Sequence, residues 1–254
     1  MDFIANEKKY VKQLLATKTL TPRKVKKELR LIAQYYLAKG MSTKETLDSL
    51  ILFINEVNKN NSGEKWRDVL IGMINDIEKK DDYKLRDIEN IVITKGEWEK
   101  IKQIDKEHLK RYAFGLLVYS KIINYEKESK WVDINNTSGF ANDVKVNANP
   151  ENREKYFHAL KNRGLITIAK KSGSTAIKID FEEKNGEPHI IIPESNISNF
   201  ISYYEATKNK NAIICSLCGD VEIREGIGRK PKYCSKCTKE RNRLRKQKQR
   251  RKEG

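Results

Sequence analysis

The chain has 254 residues, of which 34% are charged, and a formal net charge of +17. That length allows two or three modest domains, and the longest apolar runs are far too short to cross a bilayer, which excludes a helical membrane protein. The charge is concentrated: residues 229–254 hold thirteen Lys/Arg against Glu240 and Glu253, a net +11, so 17 − 11 leaves +6 for the first 228 residues. An acidic partner met mainly at the C-terminal end is the expectation.

Residues 1–105 read as helical throughout, a domain for partner contact, self-association or scaffolding. Thr21-Pro22 is an N-cap followed by proline at the first helical position. The predicted helix carries Val25, Leu29, Ile32, Ala33, Tyr36 and Leu37 on one face and stops at Gly40. Ser42 and Glu45 form a capping box before Leu47, Leu50, Ile51, Ile54 and Val57. A third stripe runs through Trp66, Val69, Leu70, Met73, Ile74 and Ile77. Thr94 and Glu97 make another capping box, leading into Trp98, Ile101 and Ile104.

Residues 106–194 change character. A helix with Leu109, Tyr112, Ala113, Leu116 and Leu117 inward is followed by a short helix around Phe140 and a third helix over 151–163, opened by Pro150 and ended by Gly164. Strand-like runs at 165–169 and 176–181 then form a hairpin, and 189–192 is a further strand. Helix, short helix, helix and hairpin is the order of a winged helix-turn-helix, whose third helix enters the major groove while the hairpin meets the backbone. Phe157 and Leu160 face the core in this reading. Asn152, Lys155, Lys161 and Asn162 form the DNA-facing side, with Arg153 at its margin, and Lys170 and Lys171 meet phosphates at the hairpin turn. Residues 195–212 read as a linker helix, with 209–211 the hinge into residues 213–254.

That last segment holds all four cysteines, as Cys215-x-x-Cys218 and Cys234-x-x-Cys237, fifteen residues apart. The spacing fits a tetrahedral four-thiolate site for one structural zinc, and four protein thiolates leave no open position for catalysis. Gly219 suits the knuckle turn. Two disulfides are the alternative; a reducing compartment, expected because the N-terminus lacks a secretory leader, argues against them. A basic helix follows from Thr238, with Lys239, Arg241, Arg243, Arg245, Lys246, Lys248, Arg250, Arg251 and Lys252. It is read as a phosphate-binding tail, or else as a solvated tail behind a zinc staple.

Two stretches, Lys110-Arg-Tyr-Ala-Phe-Gly-Leu-Leu-Val-Tyr-Ser-Lys121 through Leu160-Lys-Asn-Arg-Gly-Leu-Ile166, and the two cysteine pairs with Gly219 and Tyr233, resemble uncharacterised zinc-binding proteins of phages and mobile elements of Gram-positive bacteria. The Tyr-Cys-x-x-Cys before a helix is similar to treble-clef zinc modules and zinc ribbons. The resemblance covers about residues 106–240 and implies DNA-associated work in the host cytoplasm, with no catalytic residues to carry over.

No enzyme is expected. His108, His158 and His189 lie in separate segments as surface or packing residues, Glu182-Glu183 reads as a solvated pair, and no phosphate loop occurs. The fold expected is mainly α with a small β component. The function expected is non-enzymatic binding of double-stranded DNA, in transcriptional or replication control. A protein–protein adaptor tethered to nucleic acid, or an RNA-binding protein, are the alternatives.

Overall fold

The computed structural model describes residues 4–57, 62–81, 83–125, 131–134, 136–169, 176–223 and 231–250. The protein is mainly helical with a small sheet component. It divides into two compact units, Asp2–Ile88 and Glu89–Gly254.

The first unit is helical: α1 (Glu7–Thr17), α2 (Val25–Leu37), α3 (Thr43–Val57), a 3-10 turn at Gly63–Trp66 and α4 (Arg67–Lys79). Its stripes meet in a core of Val11, Leu29, Ile32, Leu50, Leu70, Ile74 and Ile77, whereas Val69, expected in the stripe, is exposed. The capping box forms, with Ser42 N–H donating to Glu45 and Glu45 N–H to Ser42 Oγ. The Thr21-Pro22 cap does not. Lys24 N–H donates to the Thr21 carbonyl in a turn, and α2 begins only at Val25. Glu28, fully buried on α2, explains the shift. Its carboxylate accepts from Thr21 N–H (2.7 Å) and from the Tyr10 hydroxyl (2.5 Å), so the turn folds back onto the helix it precedes.

The break between units falls at residue 88, not at 105, because residues 89–105 are not all helix. Asn90–Thr94 is a strand, β1, whose run of β-branched residues pairs antiparallel with β5 (Pro188–Pro193) across the chain. The expected third strand of the hairpin region is thus the partner of β1 rather than a neighbour of that hairpin. α5 (Lys95–Lys102) follows under the Thr94/Glu97 capping box.

α6 (Glu107–Ile123) is the centre of the second unit, buried without a break from Tyr112 to Ser120. A helix apolar on every side needs neighbours on every side, and α5, β1, α8, α9 and the three-stranded sheet supply them. α7 (Thr137–Asp143) crosses close over Gly115, where a Cβ would come within 2.2 Å of Val144 Cγ1. α8 (Pro150–Asn162) is capped by the Asn149 side chain and ends at Gly164, with φ of +69°. β3 (Ile166–Ile168) and β4 (Ala176–Ile179) form the hairpin, and β2 (Trp131–Asp133) adds on the other side of β4, giving the order β2-β4-β3.

Residues 195–212, expected as linker and hinge, are packed structure. A 3-10 turn at Glu194–Asn199 leads into α9 (Ile201–Lys208), on which Tyr203 and Tyr204 are fully buried. Of the Glu182-Glu183 pair, Glu182 is half-buried and accepts from Ser120 Oγ, while Glu183 is exposed as expected but accepts from Thr94 Oγ1.

Candidate metal centre and nucleic-acid interface

The cysteines sit on the simplest scaffold that can present two pairs to one point. β6 (Ala212–Ile214) and β7 (Val221–Ile223) pair in register, with Ile214 opposite Val221. The first cysteine pair fills the turn between them. Gly219 N–H donates to the Cys215 carbonyl (2.8 Å) and Cys215 N–H to the Asp220 carbonyl (2.9 Å), closing the knuckle. Gly219 is required twice over. Its φ is +75°, and a Cβ there would meet Pro193 Cγ at 2.3 Å. The Tyr203 hydroxyl donates to its carbonyl, so the knuckle is seated on α9 and on the end of β5.

The second pair opens α10 (Ser235–Arg250). Cys234 immediately precedes the helix and Cys237 lies in its first turn, with Thr238 N–H bonded to the Cys234 carbonyl (2.9 Å). Glu222 of β7 accepts from both Ser235 N–H (2.7 Å) and Ser235 Oγ (2.6 Å). A carboxylate at a helix N-terminus satisfies a free backbone donor and the helix dipole together. It also ties α10 to the hairpin.

All four Sγ atoms consequently lie within 4.8 Å of one another, close enough to hold a metal ion. Cys215 and Cys234 are buried, while Cys218 and Cys237 are half-buried. The Cys215 thiol is drawn down to about 6. Burial raises it, but the backbone N–H groups of Cys218, Cys234 and Leu217 outweigh burial by favouring the thiolate. Burial pushes Cys218 upward. The environment thus stabilises sulfur anion at one corner of the cluster and resists it at another.

The predicted nucleic-acid residues separate into two groups on different elements. On α10, Lys239, Arg241, Arg243 and Arg245 are exposed, as is every described side chain after Cys237. The Arg241 guanidinium lies over the Tyr233 ring, 4.2 Å from its centroid, and Arg243 pairs with Glu240 at 2.6 Å. Lys246, Lys248 and Arg250 continue the helix backbone; their side chains, and Arg251, lie outside what is described.

On α8, Phe157 and Leu160 are buried as expected. Lys155 and Lys161 are exposed, but Lys155 pairs with Glu151 at 2.6 Å and Glu154 is exposed beside it. Asn152 and Arg153 are half-buried. Arg153 Nε has no hydrogen-bond partner among the described residues, nor has the nearby Tyr112 hydroxyl, which burial pushes up to about 12. Lys170 and Lys171 lie outside the described residues.

Sequence reading missed Glu222, the Tyr233–Arg241 stack and a buried ion pair behind the sheet. Glu97, with no exposed surface, accepts from Thr94 N–H and Glu183 N–H (2.8 Å each) and pairs with Lys121 at 2.7 Å. Only the Thr94 half of that network was visible locally, as a capping box. No helix among the described residues is long and apolar enough to cross a membrane. Comparison with protein-family models, with curated proteins and with solved structures gives no match to this chain.

Proposed function

We propose that the protein binds double-stranded DNA, with α10 as the main source of affinity and residues 106–182 acting as a winged helix. The observation that carries this is α10 itself. It has eight Lys/Arg against a single acid, Glu240, and no described side chain beyond Cys237 is covered by the protein. A helix that is polar but for one exposed leucine, Leu244, and anchored at one end gains nothing from the core. Its charge fits a polyanion instead, by releasing condensed counterions.

In this reading the cysteine cluster holds one structural zinc in a treble-clef arrangement. Support comes from the donor set, four thiolates with no other ligand type, and from the order of knuckle hairpin followed by a helix that carries the second pair. The winged-helix assignment is supported by the order α6, β2, α7, α8, β3, β4 and by the sheet order β2-β4-β3. α8, with Lys155 committed to Glu151, would contribute alignment and base contacts more than affinity. The setting proposed, a phage or mobile element and its transcription or replication, rests on sequence resemblance alone.

The test is an anisotropy titration of blunt duplex DNA across a salt series. If about half of the α10 cations meet phosphates, the slope of log K against log salt is about −4, from −0.9 per phosphate. Replacing Lys239, Arg241, Arg243 and Arg245, half of those cations, by Gln should flatten it by about two. Equal slopes and affinities in the two proteins would sink the proposal.

A further inference from the structure

Away from α8, and beside the cysteine cluster, a recess of about 750 Å³ opens between α5, α6, α9, β5 and the cysteine hairpin. Its floor is apolar and buried, made by Trp98, Ile190, Tyr204 and Ile213. One exposed aromatic ring stands over this floor. His189 lies nearly parallel to Trp98, with centroids 5.5 Å apart and planes 26° from each other. The β1–β5 ladder shifts register between Ile93 and Thr94, which pair with Ile190 and Pro188, so His189 has no partner across the ladder. Such an irregularity re-aims a side chain out of a strand's alternation.

The rim is basic. Lys102, Lys110, Lys208 and Lys232 line it, and no carboxylate does among the described residues. Lys102 pairs with Glu99 and Lys208 with Glu107. Lys110 and Lys232 have no acidic partner among the described residues, and each sits beside an apolar floor where field lines are less screened than in open water.

A flat ring backed by tryptophan, next to two cations that pair with no described carboxylate (Lys232 lies over the Tyr233 ring, 5.9 Å from its centroid), matches a base and its phosphates. An acidic peptide would use the cations but would have no use for a parallel aromatic stack. We infer that this recess takes unpaired bases of single-stranded DNA, one base stacking on the open face of His189 and the adjoining phosphates meeting Lys110 and Lys232. Aromatic side chains and basic grooves together hold single strands in this way. The inference deepens the DNA-binding reading and rests on it, but it uses a different surface from α10. The protein would then hold duplex and unpaired DNA at once, as at a junction or an opened end.

The experiment compares a labelled oligo-dT and a blunt duplex by anisotropy, against the full chain, His189→Ala, and the double variant Lys110→Gln/Lys232→Gln. All three substituted side chains lie on the rim of the recess, outside the core, and circular dichroism checks that the fold is kept. The expected result is that His189→Ala weakens oligo-dT by about fivefold or more, the loss of one stacked base, that Lys110→Gln/Lys232→Gln weakens it through two lost phosphate contacts, and that either loss exceeds any change in duplex affinity. Oligo-dT binding that is absent in the parent, or unmoved by both variants, would overturn the inference. Displacement of oligo-dT by an acidic, tyrosine-containing peptide at equal concentration would also overturn it and make the recess a peptide site. If oligo-dT binds through the recess while the blunt duplex does not bind, the recess assignment stands and the duplex reading fails.

Discussion

Glu97→Ala should destabilise the Glu89–Gly254 unit by more than any surface change in the chain. The carboxylate has no exposed surface and makes three contacts, two with backbone N–H groups and one with Lys121, itself largely buried. Losing the reciprocal cap at Thr94 costs about 1 kcal/mol. Leaving the Glu183 N–H without an acceptor costs about 1–3 kcal/mol. Breaking one side of a buried ion pair costs about 3–5 kcal/mol in all where the other charge is stranded. These contributions overlap because the same oxygens serve all three, so about 3–5 kcal/mol is the expectation for the whole. With a urea m-value of about 2–3 kcal/mol/M for a unit of this size, the midpoint should fall by about 1–2.5 M. The assay is urea unfolding followed by near-ultraviolet circular dichroism, which reports the cluster of Trp98, Phe114 and Tyr204 within the same unit. Glu97→Gln, which keeps an acceptor oxygen but not the charge, should fall between Ala and the parent. A loss below about 1 kcal/mol for Glu97→Ala would refute the view that this ion pair fastens the loop after β4 to α5 and α6.

Two further outcomes are expected. Purified under reducing conditions, the protein should carry one metal ion per chain by elemental analysis, and chelation should release it together with four thiols reactive to a colorimetric reagent; four thiols reactive before chelation would count against a bound ion. The Glu107 carboxyl is raised by partial burial but lowered more by the Lys208 ammonium and the Tyr204 hydroxyl, so its folded value lies below the unfolded one near 4.3. Its contribution is therefore complete above that unfolded value and lost as pH falls through the lower folded value. Glu107→Gln should flatten the acid limb of a thermal-melt pH series, and an unchanged acid limb would show that the Lys208 contact is too well solvated to matter.

The parts legible in the sequence were those whose cause is local. Ser42 with Glu45, Thr94 with Glu97, Pro150 at the start of α8, and Gly164 at its end all act within one turn of chain, and the structure uses each. The cysteine cluster belongs with them, since each pair needs only a tight turn and just two segments must meet. β1 was missed because Ile91, Val92 and Ile93 sit between helical patterns, and their partner strand begins only at Pro188. Thr21-Pro22 misled for a similar reason: Glu28, a turn into α2, captures the Thr21 N–H and moves the helix start. The recess at His189 was illegible in principle, because Trp98, Lys110, His189, Lys208 and Lys232 come from five separate segments.

The coupling of metal to DNA follows, within the proposed function, from how little holds α10. Its described ties to the rest of the protein are confined to its first two turns and the residues just before it: the two cysteines, Ser235 on Glu222, and Arg241 reaching back to Tyr233. A polar helix of sixteen residues is marginal in water without a fixed end. Metal at the four sulfurs fixes that end, and the carboxylate of Glu222 then has a helix dipole to complement. Phosphates spread along the exposed length would supply the remaining stabilisation, favouring helix over coil by drawing its cations to one side. Loss of metal should accordingly weaken duplex binding without removing a single basic residue. The weakening should exceed what net charge explains, because chelating a divalent ion from four thiolates leaves the α10 side chains as positive as before.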